Sequence, residues 1–475
     1  MIKNLVGQSW VQVDAKTLPV YDPATAVVID EVPLSGARDV QAATEAAAKA
    51  FPSWSRTPVM ERVRLMFNFK SLLEANAEEL AAIVTRHHGK TLNEARGEVR
   101  RGIEVVDFAC GAPTLLQGRT LRQVSTEVDQ DLYRFPLGVV AGITPFNFPV
   151  MIPLWMMPLA VVAGNTFVLK PSERTPLGAV RLAELFLEAG FPPGVLQVVN
   201  GGREAVDALV TSPNVSAVSF VGSEPVARHV YELATSNAKR VQALGGAKNY
   251  SIVMPDADLD VTVPALLESA FGNAGERCLA GSAIVAVGVI ADELTAALCE
   301  GAQRLVVGPG DQPETQVGPL IRDEHRQRVL DRIDRAISEG GVMIRDGRVE
   351  TSRPGFFLGP TVIGGVTAQM SIAAEELFGP VVTVSTAEDL DAAIDRANSV
   401  SYGNMGVIFT KSGRAARTFR EQIEAGMVGV NVPIAQPFAF FPFSGWKSSF
   451  YGDLHVQGSD GIEFYTRKKM VVSRW

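Results

Sequence analysis

The first part of the chain has apolar residues spaced three and four positions apart. This spacing continues through three segments between residues 37 and 112, and it predicts amphipathic helices because residues three or four apart share a helix face. From Leu137 the pattern changes to short runs rich in β-branched residues, such as GVVAGI, TFVLK and VSAVSFVG, which alternate with helical segments. This alternation favours right-handed crossovers and a parallel sheet that is covered by helices on both faces.

A second strand–helix series begins after Gly246 with the strand YSIVM and ends with the helix DLDAAIDRA. Within it, residues 308–361 are polar and rich in turn formers. Two further segments, residues 120–135 and the C-terminal GIEFYTRKKMVV, are interpreted as solitary strands. We expect these strands to pair with each other or with another subunit, because an exposed strand edge invites pairing. The pattern therefore predicts an α/β protein with two sheet-containing units.

The composition disfavours some classes of binding partner and some cellular compartments. The 475 residues carry a net charge of −8, which disfavours nucleic acids and anionic membranes as partners. The most apolar stretch, residues 148–164, is interrupted by prolines and is too short for a membrane span. The start of the chain has no export signal, and there are only three cysteines with no CxxC pair. We therefore expect a cytoplasmic protein without a disulfide framework or a metal site.

Cys278 is the best candidate for a nucleophile. It lies in FGNAGERCLAGS, where small residues leave room for a substrate and the neighbouring Arg277 is expected to lower the pKa of the thiol. Cys110 and Cys299 lie in apolar or amphipathic segments and are interpreted as inert buried residues. The five histidines show no partner pattern and are interpreted as solvated surface residues. Without a histidine partner, a papain-like hydrolase is disfavoured.

Three further motifs follow predicted strands. Asn147 lies in PFNFP, on a strand-to-helix turn from which its amide would donate to an oxyanion. Lys170 and Glu173 follow the strand TFVLK, at the strand end where parallel sheets bind ligands, and they are suited to ribose hydroxyls. Ser223 in FVGSEPVA precedes a helix whose N-terminal amides are suited to a pyrophosphate. Each motif is weak alone, because an ordinary turn or helix start also explains it; the order of the motifs is the stronger signal.

The ordered set PFNFP, KPSE, VGSEPV, GERC and EELFGP resembles the aldehyde dehydrogenase superfamily over essentially the whole chain. The resemblance implies that Cys278 is the catalytic thiol and that Asn147 and the Cys278 backbone N–H form the oxyanion hole. It implies NAD as the cofactor, with Glu376 on the nicotinamide ribose and Phe378 packed beside it. The other implied NAD contacts are Thr144, Phe146, Lys170, Glu173, Arg174, Ser223 and Gly245.

The same resemblance implies a fold and a division of the chain. The expected fold has a Rossmann-like parallel-sheet cofactor domain, a second α/β catalytic domain and a small β element for oligomerisation. We expect residues 1–116 and 137–243 in the NAD-binding domain and residues 244–440 in the catalytic domain. Residues 117–136 and 441–475 are expected in the oligomerisation element. The implied assembly is a homodimer or a homotetramer.

One position departs from the pattern of the family. Hydrolytic members carry a general-base Glu at the start of an ELGGK-type motif, but the corresponding stretch is QALGGAKNY, and the family spacing from Cys278 leads to Leu244. The motifs GAKN and GERC and the ending FPFSGWKSSFYGDLH resemble the CoA-acylating methylmalonate-semialdehyde and malonate-semialdehyde dehydrogenases. A CoA thiol brings its own nucleophile, so a water-activating base is not required.

The implied reaction is the NAD-dependent oxidation and decarboxylation of malonate or methylmalonate semialdehyde, through a Cys278 thioester, to acetyl-CoA or propanoyl-CoA. Arg101 and Arg277 would clamp the substrate carboxylate, because a planar guanidinium suits bidentate carboxylate binding; Arg100 is an open alternative to Arg101. Two other functions stay open. One is a hydrolytic NAD-dependent semialdehyde dehydrogenase that releases a free acid, and the other is a catalytically silent binding or structural member of the family.

Overall fold

The computed structural model describes all 475 residues as an α/β protein with two large sheets. The strands are β1 (Asn4–Val6), β2 (Ser9–Val11), β3 (Thr17–Asp22), β4 (Val27–Pro33), β5 (Arg119–Ser125), β6 (Val128–Pro136), β7 (Val139–Ile143), β8 (Thr166–Lys170), β9 (Leu196–Val198), β10 (Val215–Val221), β11 (Arg240–Leu244), β12 (Tyr250–Val253), β13 (Ala283–Val287), β14 (Val342–Arg345), β15 (Thr361–Gly364), β16 (Val381–Ala387), β17 (Tyr402–Gly403), β18 (Met405–Phe409), β19 (Met427–Val430), β20 (Trp446–Lys447), β21 (Phe450–Gly452) and β22 (Thr466–Arg474). The helices are α1 (Ala37–Trp54), α2 (Val59–Ala75), α3 (Ala77–His88), α4 (Leu92–Cys110), α5 (Ala112–Leu115), α6 (Met151–Val162), α7 (Leu177–Glu188), α8 (Arg203–Thr211), α9 (Glu224–Ser236), α10 (Leu259–Phe271), α11 (Ala291–Arg304), α12 (Asp323–Ser338), α13 (Ser371–Ala374), α14 (Leu390–Asn398), α15 (Gly413–Gln422) and α16 (Gly458–Phe464).

The first large sheet has eight strands in the order β2-β1-β9-β8-β7-β10-β11-β21. The strands β7 to β11 run parallel to one another, whereas the edge strands β1, β2 and β21 are antiparallel to their neighbours. All residues of β7 and β8 are buried, as expected for a parallel sheet that helices cover on both faces. The first strand–helix series of the sequence is therefore confirmed.

The second large sheet has seven strands in the order β14-β15-β16-β13-β12-β18-β19. All of its strands are parallel except the edge strand β14. The chain passes from the first sheet to the second between Leu244 and Tyr250. The second strand–helix series is also confirmed.

A small antiparallel sheet has the order β22-β6-β5. Its two long strands pair from Thr466 opposite Pro136 to Arg474 opposite Val128, which confirms that the two predicted segments pair with each other. The prediction of a single strand over residues 120–135 is wrong, because these residues form the antiparallel hairpin of β5 and β6. The C-terminal prediction is wrong at its start, because residues 461–464 belong to α16. The C-terminal part of the chain also supplies β21, which pairs with β11 in the first large sheet.

The prediction of a turn-rich stretch over residues 308–361 is wrong, because it contains the 16-residue helix α12. The buried residues of this helix are His325, Val329, Ile333 and Ala336. Their spacing is helical, but charged residues occupy most of the other positions and give the segment a polar composition.

The most apolar segment of the sequence forms α6, and all twelve of its residues are buried within the protein. Pro158 lies inside this helix. None of the helices combines the length and apolar character needed to cross a membrane.

Candidate active site

Four loops follow the carboxyl ends of neighbouring parallel strands in the first sheet. They begin after Ile143 of β7, Lys170 of β8, Val221 of β10 and Leu244 of β11. Because these strands are parallel, the loops meet at one edge of the sheet, which is where open α/β sheets bind ligands. Residues from these loops and from the second unit line a cavity of about 520 Å³.

The cavity brings together most of the residues that the sequence predicted for the site. The predicted residues in its wall are Phe146, Asn147, Arg174, Ser223, Gly245, Cys278, Glu376 and Phe378. The predicted residues that are not part of the wall are Thr144, Lys170, Glu173, Arg101 and Arg277.

The loop that carries Cys278 is anchored through its backbone. The carbonyl oxygen of Cys278 accepts hydrogen bonds from Nδ2 of Asn249, at 2.8 Å, and from Nδ2 of Asn404, at 2.9 Å. Asn249 lies in the GAKN motif. The Cys278 side chain is half-buried and lines the cavity, so the anchored sulfur is accessible to a small substrate.

The thiol of Cys278 is not activated by its protein surroundings. Burial raises its pKa to about 12, and the neighbouring carboxylate of Glu376 adds to this rise, while Arg277 acts in the opposite direction. The expectation that Arg277 lowers the pKa of the thiol below its usual value is therefore wrong, because desolvation of the thiolate outweighs one guanidinium. Cys278 is a thiol at neutral pH in the free protein.

Asn147 is fixed at both its backbone and its side chain. Its Nδ2 donates to the carbonyl oxygen of Glu276, at 3.0 Å, and its own carbonyl oxygen accepts from Nζ of Lys90, at 2.6 Å. Asn147 is buried and shares the cavity wall with Cys278. The side-chain amide of Asn147 is therefore held in the same cavity wall as Cys278, an arrangement that would suit an oxyanion site.

The part of the cavity next to the first sheet fits a dinucleotide. Ser223 precedes α9 and makes no capping hydrogen bond, so its hydroxyl and the helix N-terminus are available to a diphosphate. Arg174 lines both this cavity and a smaller recess that contains Glu173. Nζ of Lys170 lies 3.3 Å from Oε2 of Glu173, so the two side chains form an ion pair at the end of β8. The hydroxyl of Thr144, in the preceding loop, is buried without a hydrogen-bond partner.

The EELFGP loop supplies Glu376 and Phe378 to the opposite wall. Oε1 of Glu376 accepts from the backbone N–H of Ala247, at 3.0 Å, and burial raises the pKa of this carboxyl to about 7. A Cβ on Gly246 would lie only 2.6 Å from Oε2 of Glu376, so glycine is required for the carboxylate to lie against this backbone. The ring of Phe378 packs edge to face on Phe146, with centroids 5.8 Å apart.

Arg101 and Arg277 are held apart from the cavity wall. Nη1 of Arg101 lies 2.8 Å from Oε2 of Glu104, and its guanidinium lies 4.5 Å from the ring centroid of Phe438. A Cβ on Gly272 would lie 3.5 Å from Nη2 of Arg277, which places that guanidinium against the end of α10. Neither arginine lines the cavity in this structure.

The position of the missing general base is apolar in the structure as well. Leu244 is the last residue of β11 and is buried. Glu276, two residues before Cys278, lies instead near two histidines: its oxygens are 3.7 Å from Nε2 of His88 and 3.6 Å from Nε2 of His325. Burial raises the pKa of Glu276 to about 8 and lowers that of His325 to about 4, so burial favours the uncharged form of each group.

The interpretation of the histidines as solvated residues is wrong. His87, His88 and His325 are buried, and His229 and His455 are half-buried. The ring of His88 stacks on Phe146, with centroids 6.0 Å apart. His88 therefore packs on Phe146 of the cavity wall, and His325 lines the cavity itself.

The family model of the aldehyde dehydrogenase family matches residues 10–471. The chain belongs to the aldehyde dehydrogenase family. Malonate-semialdehyde dehydrogenase 1 of Geobacillus kaustophilus is 54% identical over 100% of this chain and 98% of that protein. Malonate-semialdehyde dehydrogenase of Bacillus pumilus is 51% identical, again over 100% of this chain and 98% of that protein.

Solved structures of aldehyde dehydrogenases have the same fold. The methylmalonate-semialdehyde dehydrogenase DddC from Oceanimonas doudoroffii is 47% identical, with a TM-score of 0.98 over 100% of this chain and 98% of that one. A protein from Sinorhizobium meliloti 1021, proposed to be a methylmalonate-semialdehyde dehydrogenase and solved in complex with NAD, is 43% identical. It also has a TM-score of 0.98, over 100% of this chain and 98% of that one.

Sequence reasoning missed one wall of this aldehyde dehydrogenase site. His325, Arg328 and Arg332 of α12 line the cavity. Nε2 of His325 lies 2.6 Å from the carbonyl oxygen of Phe378, and Nη1 of Arg332 donates to the carbonyl oxygen of Glu376, at 2.6 Å. The spacing of these three residues by three and four positions was the signal that could have placed them on one helix face.

Proposed function

We propose that this aldehyde dehydrogenase oxidises malonate semialdehyde or methylmalonate semialdehyde with NAD and transfers the acyl group to CoA, with loss of CO2. The products are acetyl-CoA and propanoyl-CoA. The observation that carries the proposal is the pairing of Cys278 and Asn147 in one cavity wall with the apolar Leu244 at the position of the hydrolytic base. The names of the full-length relatives support the same substrate class.

The reaction begins at the sulfur of Cys278. The thiol loses its proton to solvent water, and the sulfur attacks the aldehyde carbon and forms a thiohemiacetal whose oxygen carries the negative charge. Nδ2 of Asn147 and the backbone N–H of Cys278 donate to this oxygen. NAD, when bound, supplies the hydride acceptor and a positive charge that favours the thiolate.

Loss of hydride from the thiohemiacetal leaves a thioester on Cys278. The carboxylate of the substrate then lies β to the thioester carbonyl, so the carbon–carbon bond can break with its electron pair taken up by that carbonyl. CO2 leaves, a proton adds to the carbon, and the sulfur of CoA attacks the thioester. Cys278 is the leaving group of that last step and is regenerated.

The cofactor and the substrate carboxylate are assigned to separate parts of the site. Ser223, Arg174, Glu173 and Lys170 would hold the dinucleotide, with Thr144 and Phe146 at its entry and Gly245, Glu376 and Phe378 towards the nicotinamide. Arg101 and Arg277 would bind the carboxylate. The guanidinium of Arg101 would have to leave Glu104 to bind the substrate, and it lies against the ring of Phe438. The alternative, Arg100, is exposed and has no aromatic ring against its guanidinium.

Two alternatives are less well supported. A hydrolytic enzyme would need a carboxylate to activate water, and Leu244 offers none. A silent scaffold would not require an anchored Cys278 beside an oriented Asn147.

The proposal extends to the assembly and the division of the chain. We propose a cytoplasmic homodimer or homotetramer that assembles through the sheet β22-β6-β5. Residues 1–116 and 137–243 would form the NAD-binding domain, and residues 244–440 the catalytic domain. Residues 117–136 and 441–475 would form the oligomerisation element, although β21 lies in the first large sheet.

The test is NADH formation from malonate semialdehyde and NAD, with and without CoA. Sustained turnover that requires CoA and yields acetyl-CoA supports the proposal. Sustained turnover without CoA, with release of a free acid, supports the hydrolytic alternative. A Cys278→Ala variant that keeps full NADH production would contradict both.

A further inference from the structure

We propose that Lys90 and Glu98 are positioning residues that hold Asn147 in the orientation needed for catalysis. The proposal rests on the oxyanion role of Asn147 in the proposed function. Lys90 lies between α3 and α4, and Glu98 lies on α4. Both side chains are fully buried, and Nζ of Lys90 is 2.7 Å from Oε2 of Glu98.

Lys90 contacts the turn that carries Asn147 at two points. Its Nζ donates to the carbonyl oxygen of Asn147, at 2.6 Å, and lies 4.1 Å from the centroid of the Phe148 ring. A charged donor to a buried carbonyl is stronger than a neutral one. Lys90 therefore fixes the backbone from which the Asn147 side chain projects.

Glu98 holds the next part of the same turn. Its Oε1 accepts from the backbone N–H of Val150, at 2.8 Å, and from that of Met151, at 3.2 Å. These amides are at the start of α6, where a carboxylate is favoured by the helix dipole and by the free N–H groups. The Lys90–Glu98 ion pair thus holds residues 147 to 151 at both ends: Lys90 bonds the first of them and Glu98 bonds the last two.

The local sequence places Lys90 at this point. Gly89 ends α3 in the left-handed conformation, with φ +95°, and α4 begins at once with a capping box between Thr91 and Glu94. A Cβ on Gly310 would lie 2.2 Å from the carbonyl oxygen of Lys90, so the backbone of Lys90 is also packed tightly. From this fixed backbone the side chain reaches Glu98 and the carbonyl oxygen of Asn147.

Stability alone does not account for this pair. Burial lowers the pKa of Lys90, and Glu98 opposes that fall, which shows that desolvation acts against the charged form. A buried ion pair is often no more stabilising than apolar residues of the same volume. An apolar pair would fill the space, but it would not bond the carbonyl oxygen of Asn147 or the amides of α6.

The test is a set of double-mutant cycles with Asn147. Lys90→Met and Glu98→Gln are made alone and together with Asn147→Ala, and the rate of the first NADH turnover is measured without CoA. NAD affinity is measured separately by quenching of protein fluorescence. Lys70→Met is the control, because Lys70 is a half-buried lysine on α2 that pairs with Glu74 and Asp107.

We expect Lys90→Met to slow the first turnover by about 10-fold to 100-fold, since small misplacements of a catalytic group are costly. Glu98→Gln should also slow it, and NAD affinity should change by less than about 3-fold, because neither side chain lines the cavity. In the Asn147→Ala background each substitution should cost less than about 2-fold, because the group they position is absent. Lys70→Met should leave the rate unchanged.

Three results would overturn the proposal. If the Lys90 and Glu98 effects are equally large with and without Asn147, the pair acts by another route. If neither single variant slows the first turnover, the pair does not position Asn147. If Asn147→Ala itself has no effect, the oxyanion role of Asn147 in the proposed function fails. This failure can be distinguished from failure of the positioning role, because it is measured without any change at Lys90 or Glu98. Should Lys90→Met not fold, the isosteric Glu98→Gln provides the same cycle.

Discussion

Cys278 has a carboxylate and a guanidinium as its main charged neighbours. Burial raises the pKa of its thiol to about 12, Glu376 raises it further, and Arg277 lowers it. The sequence predicted Cys278 as the nucleophile from the small residues and the neighbouring arginine around it, and in the structure Cys278 lines the cavity. It did not reveal the sign of the pKa shift, because neither the burial of the sulfur nor the approach of Glu376 can be read from local sequence.

The first prediction concerns the pH dependence of Cys278 without NAD. Since the pKa of the thiol is raised, alkylation by iodoacetamide should increase by about tenfold for each pH unit between pH 7 and 9, because only the thiolate reacts. Glu376→Gln removes a negative charge and should increase the rate at a given pH. Arg277→Gln should decrease it. A plateau of the wild-type rate below pH 8 would show that the thiol is already ionised and would contradict this prediction.

At the scale of elements, the parallel strands explain why motifs far apart in the chain form one site. Asn147, Ser223 and Gly245 follow the carboxyl ends of strands in one sheet, and Lys170 is the last residue of another strand of that sheet. Buried β-branched runs made these strands predictable. The helix α12 was not predicted, because its many Arg and Asp residues gave it the composition of a surface loop. Its site residues were missed for that reason.

The second prediction tests the contact of α12 with the EELFGP loop. Arg332 donates to the carbonyl oxygen of Glu376, and Phe378 has a positive φ of 57°, which is unfavourable for a bulky residue. Arg332→Ala should weaken NAD binding by about tenfold, because a carbonyl loses its charged donor. The measurement is NAD titration by fluorescence quenching. Arg335→Ala is the control, since Arg335 is on the same helix and pairs with Glu339 and Glu375 at the surface. Equal affinities of the two variants would count against this role of α12.

The third prediction concerns the end of β11. Leu244→Glu introduces a carboxylate immediately before Gly245 of the cavity wall. We expect it to permit slow NADH turnover without CoA, because a carboxylate beside the thioester can activate water. It should also lower thermal stability, since Leu244 is buried and a buried carboxylate is costly. Leu244→Met is the control, and CoA-independent turnover that does not exceed that of Leu244→Met would contradict the prediction.

At the scale of the whole molecule, the three-stranded sheet is the part left most open to another chain. All residues of β5 are exposed, and Leu121, Met470 and Val472 are apolar residues exposed on this sheet. Exposed strands of this kind favour pairing or packing with another subunit. The sequence predicted the pairing of the two long strands. It did not predict that residues 461–464 belong to α16, because their sequence, GIEF, alternates between apolar and polar residues as a strand does.

The fourth prediction is that the protein is a homo-oligomer through this sheet. Light scattering after gel filtration should give two or four times the chain mass of 50.9 kDa. Leu121→Glu should shift the mass towards the monomer, because it places a charge on the edge strand. Val289→Glu is the control, because Val289 is exposed and follows β13 of the second large sheet. A wild-type monomer would contradict the prediction.

The most direct test of the CoA-dependent mechanism is a single turnover of malonate semialdehyde and NAD in the absence of CoA. We expect a burst of NADH equivalent to the active sites, followed by arrest, with an acetyl group on Cys278 in the peptide mass spectrum. Addition of CoA should release acetyl-CoA and restart turnover. Continued NADH formation without CoA, or an acyl group on another residue, would rule out transfer of the acyl group from Cys278 to CoA.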